Sequence, residues 1–218
     1  MTEEEWLASE DTLAMVWSLR DRVSERKLRL FAASVFRRLS RLLPDSCQQQ
    51  AVAVLEQIAE GTATAQARRS AGRDARHAIP PDGPDAAGDL HYAALMLYRE
   101  FASSSLAVHA AHAGAAASFG DFAEGEAHCH ALREVVGNPF RPVILDTEWL
   151  TPTVTSLAEA TYQERILPAG ELDPPRLAVL SDALEEAGCT DAALLEHLRS
   201  PGPHVRGCWA LDLVLSKA

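Results

Sequence analysis

Apolar residues recur at three- and four-residue intervals along most of the chain, the spacing of a buried α-helix face. The clearest stripe consists of Leu28, Phe31, Val35, Leu39 and Leu42. Ser24 precedes this stripe as a good N-cap, and Pro44 cannot continue a helix, so the pattern predicts a helix over 24–43. We find no alternating strand pattern of useful length. The sequence therefore predicts an all-α fold.

The positions of proline and glycine predict where helices begin and where the chain has a linker. Thr151-Pro152 and Pro174-Pro175 each open a helix, since proline is tolerated in the first turn. The run IPPDGPDAAGD, at 79–89, is the clearest linker. It connects an N-terminal helical subdomain (1–78) to a C-terminal one (90–218). We expect an irregular multi-helix bundle that forms a single globular domain with two helical subregions.

Charge is unevenly placed in this acidic chain, whose formal net charge is −11 at pH 7. Residues 1–78 hold 12 Lys+Arg and 11 Asp+Glu, whereas residues 79–218 hold 8 and 20. Such a surface argues against bulk nucleic-acid binding, although a local basic patch near the N-terminus stays open. No apolar run approaches the ~18 residues of a membrane helix, and the acidic start lacks a signal-peptide pattern. Four sparse cysteines indicate reduced thiols, and we expect a cytoplasmic protein.

The C-terminal stretch holds a close set of soft metal ligands: Cys189, His197, His204 and Cys208. A zinc ligand lies about 2.0–2.3 Å from the ion. Cys189 and His197 flank one short helix that rises about 12 Å, so we do not expect them to share a metal. His204 and Cys208 are four apart and remain candidate ligands. The alternative is that the cysteines are small core residues and the histidines make local hydrogen bonds.

The central histidines form a second candidate set, on two predicted helices that a bundle brings together: His109, His112, His128 and His130. No Glu-x-x-His pair accompanies them. The metal would be zinc or another transition metal. The alternative is that these histidines occupy the surface or a groove.

Arginines form a third set, opposite the apolar stripe of the 24–43 helix: Arg22, Arg26, Arg29, Arg37 and Arg41. This stripe is a candidate contact for a protein partner, for phosphates or for the acidic C-terminal part of the chain. We favour the alternative, a solvated face with intrachain ion pairs. Motifs for hydrolases, nucleotide binding and HExxH metal sites are absent, so we lean against an enzyme.

Several segments resemble a group of uncharacterised bacterial proteins that occur in many paralogous copies. The resemblance rests on MTEEEW, RKLRLFA with Arg37 and Arg38 further along the same helix, GNPFRP, DALEEAGC and PGPHVRGCW. In that group a Cys-Cys pair usually precedes the two arginines, whereas Val35 and Phe36 stand there in this chain. The resemblance implies no established activity. Expansion into paralogues is typical of regulatory or partner-recognition modules.

Three functional hypotheses follow. The leading one is a soluble, non-catalytic interaction or regulatory module that binds a protein partner, or itself, through charged helical faces. The second is a metal-binding helical protein, with or without catalysis, that uses the His and Cys ligands. The third and weakest is nucleic-acid binding through the N-terminal arginines.

Overall fold

Helices make up nearly all of the secondary structure in the residues that the computed structural model describes, which are 1–19, 22–38, 46–77, 122–167 and 169–217. They are α1 (Glu3–Ala8), α2 (Thr12–Ser18), α3 (Glu25–Arg38), α4 (Ser46–Ala59), α5 (Ala65–His77), α6 (Phe122–Val136), α7 (Pro152–Gln163), α8 (Pro174–Glu186), α9 (Ala192–Arg199) and α10 (Trp209–Val214). A 3₁₀ turn covers Thr147–Trp149, and strands β1 (Arg165–Ile166) and β2 (Glu171–Leu172) lie between α7 and α8. The predicted all-α, multi-helix class is confirmed.

Capping residues explain where these helices begin and end. The Ser24 hydroxyl accepts a backbone N–H hydrogen bond at 3.3 Å, which confirms it as the N-cap of α3. Thr151 caps α7 in the same way, with proline in the first turn, and Pro174 opens α8. Gly61, at φ 70°, follows α4 in the left-handed region that favours glycine. The last five residues of the helix predicted over 24–43 lie outside the described residues.

Two compact units divide the chain at Leu132 and Arg133, within α6. Unit 1 comprises Met1 and Glu3–Leu132, and unit 2 comprises Thr2 and Arg133–Ala218. This division differs from the predicted one at 79–89, a segment outside the described residues. The first part of α6 belongs with the N-terminal helices because it packs on them: the Cys129 Sγ lies 3.1 Å from the hydroxyl of Thr12, and both groups are buried.

Unit 1 has the core that the apolar stripe predicts. Leu28, Phe31 and Val35 are all buried on α3, whereas Leu39 and Leu42 lie outside the described residues. Burying each such side chain stabilises the fold by about 1.5–3 kcal/mol before the entropy cost. No helix in the described parts of the chain is both long enough and apolar enough to cross a membrane.

Unit 2 packs α7, α8, α9 and α10 around an apolar core. Fully buried members include Val154, Ala158, Tyr162, Leu177, Leu180, Leu184, Leu194, Leu198 and Leu211. The connection from α9 to α10 runs along the small hairpin, since the Leu172 N–H donates to the His204 carbonyl at 2.8 Å and Val205 bridges Glu171. The core and the hairpin together place His204 on the inside of the unit.

The hairpin was not predicted. β1 and β2 pair antiparallel over two residues each, with Arg165 opposite Leu172. Gly170, at φ 74°, makes the turn, and its N–H donates to the Ile166 carbonyl at 2.7 Å. Strands of two residues are too short to show an alternating pattern, so the sequence carries no periodic signal for them.

Candidate metal centre

A buried carboxylate lies in the last turn of α6. Glu134 is 7% exposed, and Gly137, at φ 75°, closes the helix with an N–H donated to the Arg133 carbonyl at 2.7 Å. Helix C-termini carry partial negative charge, so a carboxylate there is electrostatically disfavoured. Its burial at this position requires hydrogen-bond donors or a cation close by.

The donors come from the stretch 197–208, which turns back on itself between α9 and α10. His197 lies in the last turn of α9, and Cys208 occupies the N-cap of α10. Between them, Gly202 adopts φ 81°, and a Cβ there would lie 2.6 Å from the backbone nitrogen of His204. Glycine is therefore required for the connector to bring His204 inward.

Four ligand-type atoms converge at this point: one each from Glu134, His197, His204 and Cys208, all within 4.8 Å of one another. The Nδ1 of His204 lies 3.0 Å from Oε1 of Glu134, and the Nε2 of His197 lies 3.2 Å from Oε2. The same Nε2 lies 3.2 Å from the Cys208 Sγ. We call these four residues the Glu134 cluster. His204 and Cys208 are at most 1% exposed.

Both ring nitrogens of His204 face acceptors. Nδ1 faces the Glu134 carboxylate, and Nε2 lies 3.0 Å from the Ser200 carbonyl oxygen. The Ser200 hydroxyl is 3.3 Å from Nε2 but donates its hydrogen to the His197 carbonyl at 2.8 Å. An acceptor on each side requires a hydrogen on each nitrogen, which is the imidazolium form. His204 and Glu134 therefore make a buried, charge-assisted hydrogen bond.

The pKa shifts of the cluster follow from burial and from this pairing. Burial alone would raise the pKa of Glu134, but hydrogen bonds and positive charge from His197 and His204 outweigh it and lower the pKa to about 2. Burial would lower the pKa of His204, yet the bond to Glu134 raises it above its ordinary value. Burial, reinforced by the Glu134 charge, raises the pKa of the Cys208 thiol well above its ordinary value.

The same atoms match the ligand set of a zinc site. Zinc binds imidazole nitrogen, thiolate sulfur and carboxylate oxygen at about 2.0–2.3 Å in a tetrahedron, whose edges are then about 3.3–3.6 Å. The distances that His197 and His204 make within the cluster lie close to that range. The outward N–H of His204 on the Ser200 carbonyl is the outer support that metal-bound histidines usually have.

A thiol nucleophile is not supported by this geometry. Cysteine catalysis needs a histidine that receives the thiol proton on one nitrogen and is oriented through the other. Here a single nitrogen of His197, Nε2, faces both Cys208 and Glu134. The thiol is also fully buried with a raised pKa, the opposite of a reactive cysteine. One nitrogen facing two ligand atoms is instead the geometry of a group that points at a common centre.

Of the predicted metal ligands, the structure brings His204 and Cys208 together. His128 is buried on α6 within unit 1, and His130 is exposed with its Nε2 3.9 Å from Glu126, so neither belongs to the cluster. The predictions at His109 and His112 lie outside the described residues. Cys189 is a buried core residue and is not one of the four ligands.

Two members of the cluster, Glu134 and His197, were missed as metal ligands. Helix geometry separates His197 from Cys189, but the chain turns after α9 and brings Cys208 to His197 instead. Glu134 is 70 residues from His204 along the chain. The available signal was local: Glu134 lies between Leu132 and Val135, which are both buried. A carboxylate on the apolar side of a helix indicates that something compensates its charge.

The N-terminal arginines mostly have acidic partners within unit 1. The Arg26 Nη2 lies 2.9 Å from Glu60, the Arg37 Nε lies 2.6 Å from Glu56, and Arg29 pairs with Glu25. Arg29 is only 4% exposed, so the expectation that it lies on a solvent face is wrong: α3 is buried around more of its circumference than the apolar stripe alone indicates. Arg22 is exposed, and Arg41 lies outside the described residues. Partner binding through this set stays a prediction.

Comparison with protein-family models, with curated proteins and with solved structures finds no match for this chain. The resemblance to a paralogous bacterial group therefore stays a prediction. The Glu134 cluster is the feature of the described residues that bears most directly on function.

Proposed function

We propose that this protein binds one divalent transition-metal ion, zinc in the first place, in unit 2. The observation that carries the proposal is the convergence of the Glu134 cluster: one carboxylate, two imidazoles and one thiol within 4.8 Å. Mixed nitrogen, sulfur and oxygen ligands suit zinc and its first-row neighbours. Magnesium and calcium take oxygen ligands and fit this set poorly.

The charge balance of the cluster supports the same ion. Zinc with one carboxylate, one thiolate and two neutral imidazoles forms a centre of zero net charge. Without metal, the His204 imidazolium beside Glu134 supplies a positive charge next to the carboxylate. The Glu134 carboxylate therefore has a counter-charge with or without the ion, and a buried charge that lacks one is expensive.

The ligand count indicates a non-catalytic role. Catalytic zinc keeps a position for water or substrate beside three protein ligands, whereas four protein ligands close the coordination sphere. Glu134, His204 and Cys208 are buried, and His197 is partly buried. We therefore propose a structural or regulatory metal, which fits the expectation of a non-catalytic module.

The test is metal content and affinity of the full chain, purified without a histidine tag. Elemental analysis is expected to find close to one zinc per chain, and calorimetry one site. In Glu134→Gln the affinity is expected to fall by more than about 100-fold, beyond the 10–100-fold that outer-shell changes cost. His130→Gln is the matched control, because His130 lies one helical turn before Glu134 and is exposed.

A result of less than a tenth of a metal per chain, together with no calorimetric binding of zinc, cobalt or nickel, would remove the proposal. If His130→Gln and Glu134→Gln lose zinc affinity equally, the ion does not bind at the Glu134 cluster.

A further inference from the structure

The core of unit 2 is built largely from residues outside the Glu134 cluster. Helices α7, α8 and α9 bury a continuous set of aliphatic side chains, and Cys208 is the one cluster residue among them. The segment Arg133–Ala218 is also well above the ~40 residues below which domains usually need a metal or disulfides. The burial that stabilises this unit is therefore independent of a metal ion.

The polar atoms of the cluster are also satisfied by one another. Glu134 accepts from both histidines, and His204 donates its second N–H to the Ser200 carbonyl. None of the cluster's nitrogens or oxygens is buried without a hydrogen-bond partner. Withdrawing a metal leaves these hydrogen bonds in place of the metal bonds, and buried polar groups that keep their partners cost little.

The ligand-bearing connector is joined to the hairpin through its backbone. The His204 carbonyl accepts the Leu172 N–H at 2.8 Å while its ring lies in the cluster, and Val205 bridges Glu171. Beyond β1, Leu167 is 68% exposed. If His204 moves toward a metal, its carbonyl moves too, and the hydrogen bond from the Leu172 N–H changes.

Metal binding would adjust the positions of the ligand atoms. The separations that His197 and His204 make are already close to the edges of about 3.3–3.6 Å of a tetrahedral zinc site, while the four atoms as a set lie within 4.8 Å of one another. Glu134 and His197 lie within helices, whereas His204 lies on the connector between Ser200 and Cys208, where Pro201, Gly202 and Pro203 are exposed and outside any helix. We therefore assign the adjustment to the connector rather than to the helices.

We propose that the metal is an exchangeable, regulatory ligand of a unit that folds without it, and that the hairpin Arg165–Leu172 changes stability with metal occupancy. This inference rests on the proposed metal binding. It adds that the α7–α8 core is the same in both forms and that the connector and β2 respond together. The site would then sense available zinc rather than nucleate the fold, unlike small zinc domains that unfold without metal.

Amide hydrogen exchange on the full chain tests this, with and without zinc, after chelation has been verified by elemental analysis. In the metal-free protein the amides of Leu180 and Leu184 in α8 are expected to stay strongly protected. Zinc at 100 times its dissociation constant is expected to slow exchange of the Leu172 amide by about 100-fold, if connector opening releases the metal. In Cys208→Ser, zinc is expected to leave that rate unchanged.

Each alternative outcome has a distinct meaning. Zinc that binds a metal-free protein without protection in α8 would overturn the regulatory role and leave the proposed function standing as a structural metal. Zinc that binds without slowing the Leu172 amide would overturn the coupling to the hairpin. Zinc that does not bind at all would overturn the proposed function itself.

Discussion

Two glutamates, one in each unit, are buried with opposite kinds of partner. Glu56 on α4 is 3% exposed and accepts from Arg37, whose Nε and Nη2 lie 2.6 and 3.0 Å from its two oxygens. Glu134 on α6 is 7% exposed and accepts from His197 and His204, beside the Cys208 thiol. Both carboxylates are compensated, but only Glu134 has partners whose side chains can also bind a metal ion.

The chemistry of its partners decides whether a buried carboxylate can also bind a metal ion. A guanidinium stays protonated in proteins and has no lone pair for a metal, so the Glu56 pair exists in one state. Imidazole and thiol groups lose a proton to become metal ligands. The Glu134 cluster can therefore hold two protons or one divalent ion, whereas the Glu56 pair serves stability alone.

The greatest loss of stability is expected when the ion pair between Arg37 and Glu56 is broken. Arg37→Met removes two charge-assisted hydrogen bonds from Glu56, and breaking a buried pair in this way typically costs about 3–5 kcal/mol. Urea unfolding measures the loss, and calorimetry is expected to show unchanged zinc affinity. Arg199→Met, which breaks exposed contacts to Asp182 and Glu185, is the control and should change the free energy of unfolding far less, because exposed ion pairs contribute little. Equal costs for the two variants would erase the contrast between buried and exposed pairs.

The next effect is the pH dependence of zinc affinity. Metal binding displaces one proton from the Nδ1 of His204 and one from Cys208, and the pKa values of both groups are raised. Below about pH 6.5 both protons are present, so affinity is expected to rise by about 100-fold per pH unit. Calorimetry in buffers of different ionisation enthalpy should count two protons released per zinc. A count near zero would mean that these atoms do not bind the ion.

After the metal has been removed with a chelator, the free energy of unfolding is expected to reach a plateau over a pH range set by Glu134 and His204. The pKa of Glu134 is lowered from 4.5 to about 2, so its contribution is complete above pH 4.5 and is lost as pH falls toward 2. The pKa of His204 is raised from 6.5, so its contribution is complete below pH 6.5 and is lost as pH rises through the higher folded value. Urea unfolding should therefore be most resistant between about pH 4.5 and 6.5. If Glu134→Gln shows the same plateau of stability against pH, groups other than Glu134 and His204 set that plateau.

The smallest effect concerns the connector. Gly202→Ala places a Cβ 2.6 Å from the backbone nitrogen of His204, at a residue with positive φ. Because this displaces the His204 ligand, we expect about tenfold weaker zinc binding. Gly188→Ala is the matched control: its φ is 95°, and a Cβ there meets nothing within 4 Å. Both variants should lose stability through backbone strain, but only the first should bind zinc more weakly. An equal effect on affinity would indicate strain rather than ligand displacement.

Local chemistry made much of this fold predictable. The cap at Ser24, the proline starts of α7 and α8, and the buried faces of α3 each depend on residues within a few positions of one another. The two-residue strands were not predicted because they cover a single period of the alternation that marks a strand, which is too short to recognise.

The candidate site was only partly predictable, because some of its residues are far apart in the sequence. His204 and Cys208 are four positions apart and were visible together in the sequence. Glu134 joins them only through the way α6 packs within unit 2, which no local pattern encodes. His197 joins them because the chain reverses at the 200–203 connector, so that residues 11 positions apart place their side-chain atoms 3.2 Å from one another.

Cobalt substitution of the full chain reports on the coordination of the site itself, because four-coordinate cobalt with a thiolate ligand has strong visible bands and a near-ultraviolet charge-transfer band. We expect both bands, saturation at one cobalt per chain, displacement by zinc, and loss of the charge-transfer band in Cys208→Ser but not in Cys189→Ala. A weak six-coordinate spectrum, or a charge-transfer band that survives Cys208→Ser, would contradict a metal centre formed by Glu134, His197, His204 and Cys208.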